Sequence, residues 1–104
     1  MLFRSVEENP EFNGGMVKLY EYLEKNIQYP EMAKENGIQG RVYVQFVVLK
    51  DGTIRDVKVV KSVHKTLDNE AKRVVKTMPK WTPGKQRGKA VNARFTLPIK
   101  FRIS

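Results

Sequence analysis

The chain has 104 residues, enough for one domain and too few for two. Hydrophobic residues make up 40% of it and cysteine is absent, so a modest core is affordable while disulfides and thiolate metal sites are excluded. The net charge of +9 is uneven: residues 1–37 hold four Lys/Arg against seven Asp/Glu, and residues 38–104 hold sixteen against four.

Residues 1–15 read as a leader or linker, with turn signals at Asn9-Pro10 and Asn13-Gly14-Gly15. The domain is expected over residues 16–104. Met16, Leu19, Tyr20, Leu23 and Ile27 recur at helical spacing, which predicts an amphipathic helix over residues 16–26. Tyr29-Pro30 opens a second, short helix, with proline suited to the first helical position. Gly37 follows Asn36 as a left-handed cap. Val42, Val44, Phe46 and Val48 then alternate along a strand over residues 41–49. Tyr43, Val47 and Leu49 make its other face partly apolar, as in a central strand. The longest apolar run, Val42 to Leu49, is broken by Gln45 and falls short of the about 20 residues of a membrane-spanning helix. The stretch from Met1 to Phe3 is likewise too short for a secretory signal.

Lys50-Asp51-Gly52-Thr53 is a hairpin signal, and residues 54–61 return as a strand with Val57 and Val59 on one face. Leu67, Ala71, Val74, Val75 and Met78 form the apolar stripe of a helix over residues 66–78. Thr66 or Asp68 is suited to cap it, and Pro79 ends it. Trp81-Thr82-Pro83-Gly84 and Gln86-Arg87-Gly88 form a basic loop. Val91, Ala93, Phe95, Leu97, Ile99, Phe101 and Ile103 then alternate with polar partners as one long last strand. Pro98 lies inside that strand and, having no N–H, marks it as an edge. The expected fold is therefore α+β: a three-stranded antiparallel sheet packed against helices, the first strand central and the last at a sheet edge. Such an edge is either protected from aggregation by Pro98, Lys100 and Arg102 or used to accept a partner strand.

Chemistry is sparse. Ser62, the single histidine His64 and Asp68 would have to converge for nucleophilic catalysis, and nothing supplies an oxyanion hole. One histidine, no cysteine and scattered carboxylates point to no metal site; Asp51 and Asp56 lack calcium-loop spacing. No glycine-rich strand-to-helix turn is present to hold a phosphate-bearing cofactor. The reading is of a non-enzyme without a cofactor. The basic half suits an anionic partner or plain solubility. For nucleic acid, Trp81 in the basic stretch from Lys76 to Lys89 is a stacking candidate, although a tryptophan beside two prolines suits a buried loop anchor better.

Set in order, the pieces resemble the TonB C-terminal domain family. Tyr29-Pro30-Glu31-Met32-Ala33 leading to Gly37 and Gly40 is similar to the family's Y-P-x-x-A-x-x-x-G-x-x-G opening, and Val42-Tyr43-Val44-Gln45-Phe46 to its first strand. Asp51-Gly52, the strand ending at Ser62, Leu67-Asp68 with Ala71, Trp81-Thr82-Pro83-Gly84, Gly88-Lys89 and Pro98-Ile99-Lys100-Phe101 complete the set across residues 29–103. The leader with Pro10-Glu11-Phe12-Asn13-Gly14-Gly15 resembles Bacteroidetes-type members.

The resemblance implies a periplasmic domain at the end of an inner-membrane-anchored protein. Such a domain grips the TonB box of an outer-membrane receptor as an added strand and passes on force from an ExbB/ExbD-type proton-driven motor. Carried onto this sequence, the contact strand is Arg94, Phe95, Thr96, Leu97, Pro98, Ile99, Lys100, Phe101, Arg102 and Ile103. The segment Asn26-Ile27-Gln28 is a second contact, Asn26 and Gln28 among its binding residues; studied members carry glutamine where this chain has Asn26. The family's membrane helix and proline-rich spacer are not in this sequence, which is expected to be part of a longer protein. Three alternatives remain at this point: the same fold attached to a metallopeptidase-type membrane sensor, a nucleic-acid-binding module, and cell-wall docking. Pairing of two copies through exposed edges is also left open.

Overall fold

The computed structural model describes residues 6–103. In chain order the elements are α1 (Gly15–Asn26), α2 (Glu31–Glu35), β1 (Gly40–Val48), β2 (Ile54–Lys61), α3 (Lys65–Lys76), β3 (Gly84–Gln86), β4 (Lys89–Val91) and β5 (Ala93–Phe101). An antiparallel sheet runs in the order β2–β1–β5, and β3 with β4 forms a separate hairpin. This is the expected α+β architecture, with β1 central and the last strand at an edge.

Alternation in β1 creates the core. Val42, Val44, Phe46 and Val48 are fully buried and meet Leu97, Ile99 and Phe101 of β5, Leu67, Ala71, Val74 and Val75 of α3, and Leu19 and Leu23 of α1. Each such side chain contributes about 1.5–3 kcal/mol when taken out of water. Trp81 closes one end of this core at 3% exposure. Its ring lies 5.2 Å from Phe46, 5.1 Å from Phe95 and 5.8 Å from Phe12. Such ring pairs add about 0.5–1.5 kcal/mol each beyond area burial. Trp81 is therefore the anchor of its loop and is unavailable for stacking on a base.

Phe12 belongs to the region read as a leader, yet it is part of this core. Paired backbone hydrogen bonds join Glu11 to Thr82 (2.9 and 2.8 Å) and Glu8 to Lys85 (3.1 and 2.9 Å). From Glu8 onward the segment is thus packed on the domain; residues 1–5 of the expected leader, and Ser104 at the other end, lie outside the described residues.

Several ends differ from expectation by a residue or a partner. Pro30 is the residue before α2, not its first helical one. Gly37, at φ +65°, closes α2. Its N–H donates to the Lys34 carbonyl (3.2 Å) and the Ile38 N–H to the Ala33 carbonyl (2.8 Å), which satisfies the helix's last acceptors. The cap of α3 is His64, neither Thr66 nor Asp68: its Nδ1 accepts from the Thr66 N–H at 3.2 Å. Asp68 instead holds the entering chain, accepting from the Ser62 hydroxyl and from the Val63 N–H at 3.2 Å. Ser62, His64 and Asp68 are neighbours as a helix entry, with serine on the carboxylate and histidine on Thr66.

The β1–β2 connection is a three-residue loop in which Gly52 alone takes positive φ (+89°). A Cβ there would come 2.2 Å from the Trp81 carbonyl oxygen. The expected long last strand is divided at Asn92. Before it β4 pairs with β3, after it β5 pairs with β1, and the Asn92 Oδ1 accepts from the Lys50 N–H (2.9 Å). The basic loop around Arg87 is the turn of the β3–β4 hairpin, with Arg87 and Gly88 both at positive φ (52° and 74°).

Candidate functional site

The sheet has two edges, and they are built differently. β5 pairs with β1 in unbroken register from Gly40↔Phe101 to Val48↔Ala93. β2 pairs with β1 in a register broken twice, between Tyr43 and Val44 and between Gln45 and Val47. Asp56, at φ +54°, lies in the second break. Bulges twist an edge away from further pairing, whereas an unbroken strand keeps a regular row of free groups.

Backbone parity says which way the groups of β5 point. The Leu49 N–H donates to Thr53 across the hairpin, so odd-numbered β1 residues turn their backbone toward β2. Even-numbered β1 residues turn toward β5, and the register matches them with odd-numbered β5 residues. Arg94, Thr96, Pro98 and Lys100 therefore direct their backbone groups away from the sheet. Pro98 stands at the parity where a missing N–H costs the ladder nothing, which accounts for a proline within a continuous strand.

At the C-terminal half of this edge lies an open groove of about 640 Å³. One wall is Pro98 to Arg102; the other is the end of α1 and the segment after it, through Tyr20, Leu23, Glu24, Ile27 and Tyr29. Tyr29 packs edge-on against Phe101 at 5.6 Å and donates its hydroxyl to the Ile38 carbonyl. Burial pushes its phenol pKa upward. Arg41, Lys100 and Arg102 against the single Glu24 make the groove cationic.

The segment after α1 is clamped from α3. The Arg73 Nη2 donates to the Asn26 carbonyl (2.9 Å), and the Gln28 N–H donates to the Glu70 Oε2 (2.7 Å). Arg73 and Glu70 also pair with each other at 2.7 Å. Burial alone would raise the Glu70 pKa, but the hydrogen bonds from Arg73 and from Gln28 outweigh it and hold the carboxyl below its ordinary value. The hydrogen bond to Glu70 raises the Arg73 pKa in turn.

The residues expected at the contact fall into distinct groups. Leu97, Ile99 and Phe101 are core, and Phe95 is half-buried against Trp81. Arg94, Thr96, Pro98, Lys100 and Arg102 are exposed. Ile103 follows the strand and donates its N–H to the Gln39 Oε1 (2.8 Å). The Asn26 amide is turned back to the Tyr22 carbonyl (2.8 Å); of the expected segment 26–28, Ile27 lines the groove, together with Tyr29 beyond it. Tyr20, Leu23, Glu24, Tyr29 and Arg41 were not anticipated there. Tyr20, Leu23 and Ile27 share the apolar stripe of α1, which is the sequence signal for that wall. Among the described residues no group of three or more His, Cys, Asp or Glu could hold a metal, and no helix is long and apolar enough to cross a membrane.

A sequence profile described as Gram-negative bacterial TonB protein C-terminal matches residues 25–103. The chain is 38% identical over 78 residues to Protein TonB of Pseudomonas aeruginosa, covering 72% of this chain and 22% of that protein. It is 40% identical over 50 residues to Protein TonB of Helicobacter pylori strain J99, covering 48% of this chain and 18% of that protein. The match thus spans only a small part of each relative's length. Two solution NMR structures of Helicobacter pylori TonB-CTD are similar in fold. One has TM-score 0.64 and 27% identity, with 83% of this chain and 90% of that one covered; the other has 0.65 and 25%, with 89% of each covered.

Proposed function

Because this chain belongs to the family of Gram-negative bacterial TonB C-terminal domains, we propose that it is the receptor-engaging module of an energy transducer, taking an extended segment of an outer-membrane receptor as a fourth strand beside β5. The observation that carries this reading is the contrast between β5, an edge strand in unbroken register, and β2, an edge strand bulged twice. Strand addition draws its affinity from main-chain hydrogen bonds and its modest selectivity from alternate side chains, which suits one transducer serving several receptors. Thr96 and Lys100 turn N–H and C=O groups outward and Pro98 turns C=O alone. Each net hydrogen bond contributes about 0.5–1.5 kcal/mol. Five of them fall short of the about −8 kcal/mol of roughly micromolar binding, so side-chain contacts along the groove have to supply the remainder.

The cationic groove favours a segment with an acidic residue near Lys100 and Arg102, and an apolar side chain on Leu23, Ile27 and Tyr29. On this reading the domain works in the periplasm, tethered to the inner membrane and driven by an ExbB/ExbD-type motor through parts of the protein outside this sequence. Burial of Trp81 weighs against the nucleic-acid alternative. The test is an NMR titration of the isotope-labelled chain with receptor N-terminal peptides and scrambled controls. Shifts confined to β5, Ile27 and Tyr29 with the authentic peptides support the reading; shifts elsewhere, or equal shifts with scrambled peptides, overturn it.

A further inference from the structure

The helices cover one face of the sheet, and the other face carries the chain's positive charge in concentrated form. Register places Arg41 and Lys100 side by side on it, Lys61 beside Tyr43, Lys58 beside Gln45, and Arg55 beside Val47. The Lys61 Nζ rests 5.4 Å from the Tyr43 ring centre, and the Gln45 amide reaches the Thr96 hydroxyl at 3.4 Å, both on this face. All five cations are exposed, and none forms an ion pair with a described residue. Asp56 is the one acidic residue in these three strands, and it occupies the bulge. The carboxylates lie elsewhere: α1 and α2 mix Glu21, Glu24, Glu31 and Glu35 with their lysines.

Two ordinary explanations fall short of this pattern. Edge protection accounts for lysines on β2 and β5, but Arg41 is on the central strand, directly opposite Lys100, where a like-charge pair works against the sheet. Solubility is served by interspersed signs, as on α1, and gains nothing from segregating one sign on one face. Spread over three strands about 4.8 Å apart, the cations converge on no single point, so they match a plane of charge better than a discrete anion. Tyr43 at the centre has an apolar ring and a polar tip, the combination suited to a lipid headgroup layer.

We propose that the open sheet face, through Arg41, Arg55, Lys58, Lys61 and Lys100, docks the domain flat onto an anionic phospholipid surface. Lying on this face keeps the β5 edge parallel to the membrane and its outward backbone groups accessible. The inference shares Arg41 and Lys100 with the groove, but Arg55, Lys58 and Lys61 lie outside it, on the sheet face opposite the core, and carry the test.

The test is co-sedimentation of the 104-residue chain with vesicles of phosphatidylcholine alone or mixed with phosphatidylglycerol, at low and high salt. Binding is expected to the mixed vesicles only and to be lost at high salt, where the Debye length falls to about 3 Å. Each cation near such a surface is worth about fivefold in partitioning, so K58E/K61E should lower it at least about twentyfold. The same charge change on the β3–β4 hairpin, K85E/K89E, should lower it less than about threefold, because charges beyond a Debye length count little. Circular dichroism of both variants verifies folding, and K58R/K61R should bind like the parent. Equal losses from the two charge-reversal pairs, equal binding to neutral vesicles, no binding to mixed vesicles, or tighter retention on duplex DNA than on mixed vesicles would each overturn the proposal.

Discussion

The two edges of the sheet share one central strand yet present opposite answers to the hazard of unpaired backbone. Along β2, two register breaks and the positive-φ Asp56 disrupt the ladder, so the outer row of donors and acceptors is irregular. Along β5 the ladder is unbroken over the whole strand, and the outer row is interrupted by Pro98 alone. The anchoring differs too. Leu97, Ile99 and Phe101 are sunk in the core, whereas Val57 and Val59 of β2 are half-buried. A bulged, shallow edge resists pairing by being irregular. A deep, regular edge stays flat and firm enough to serve as a template.

The largest test of that contrast removes the anchor. Phe101→Ala should destabilise the domain by about 3–5 kcal/mol, because its site is closed by Tyr29 and cannot collapse freely. At about 4–8 °C per kcal/mol the melting temperature should fall by more than 10 °C. Val57→Ala, its counterpart on β2, should cost only about 1 kcal/mol. Similar losses at the two positions in thermal melts would mean that the edges are equally anchored.

Next in size is Thr96→Pro. Thr96 shares the parity of Pro98, so its N–H faces outward and the β1 ladder loses nothing. Stability should stay within about 1 kcal/mol of the parent. Peptide affinity should fall more than about tenfold, since a central donor is lost and a ring stands in the path of the added strand. Calorimetric titration showing unchanged affinity would place the partner elsewhere.

Much of this contrast was legible in the sequence, and the parts that were not share a cause. Pro98 in an alternating strand announced an edge, and the two-sided apolar character of Tyr43 and Val47 announced a centre. The bulges left signs that were readable in principle: Arg55-Asp56 sets two polar residues in succession, and Val59-Val60 sets two apolar ones, each a slip in a period of two. The division at Asn92 left none, because alternation continues in phase from Val91 to Ala93 while the pairing partner changes. His64 escaped notice as a cap because serine, threonine and aspartate rank ahead of it. The groove was the least legible feature. Its walls, Tyr20 to Tyr29 and Pro98 to Arg102, are about seventy residues apart, and only packing brings them together.

A smaller effect concerns the clamp that holds one wall of the groove. Glu70→Gln keeps the shape but weakens the charge-assisted bonds to Arg73 and Gln28, and should cost about 1–2 kcal/mol at neutral pH. The folded-state pKa of Glu70 is depressed, so its contribution is complete above the ordinary carboxylate range and is lost as pH falls through the folded value. Denaturation of parent and variant should therefore converge on acidification below about pH 4. A difference that persists at low pH would show that the carboxylate charge is not what holds residues 26–28.

The smallest expected effect is the most discriminating, because its two readouts move in opposite directions. Pro98→Ala frees the unfolded chain and should lower stability by up to about 1 kcal/mol. The same change supplies the one outward donor that β5 lacks. If a receptor segment pairs along this edge, the new N–H should raise its affinity about fivefold, the net worth of one hydrogen bond of about 1 kcal/mol. It should also make β5 a better template for a second copy of itself, detectable as self-association in sedimentation velocity at high concentration. Pro98 would then be the point at which this edge trades binding strength against pairing with its own kind, a balance that β2 settles with bulges. Weaker or unchanged peptide binding by the alanine variant would mean that the outward row of β5 is a protected surface, as β2 is, and that the difference between the two edges lies only in how the protection is made.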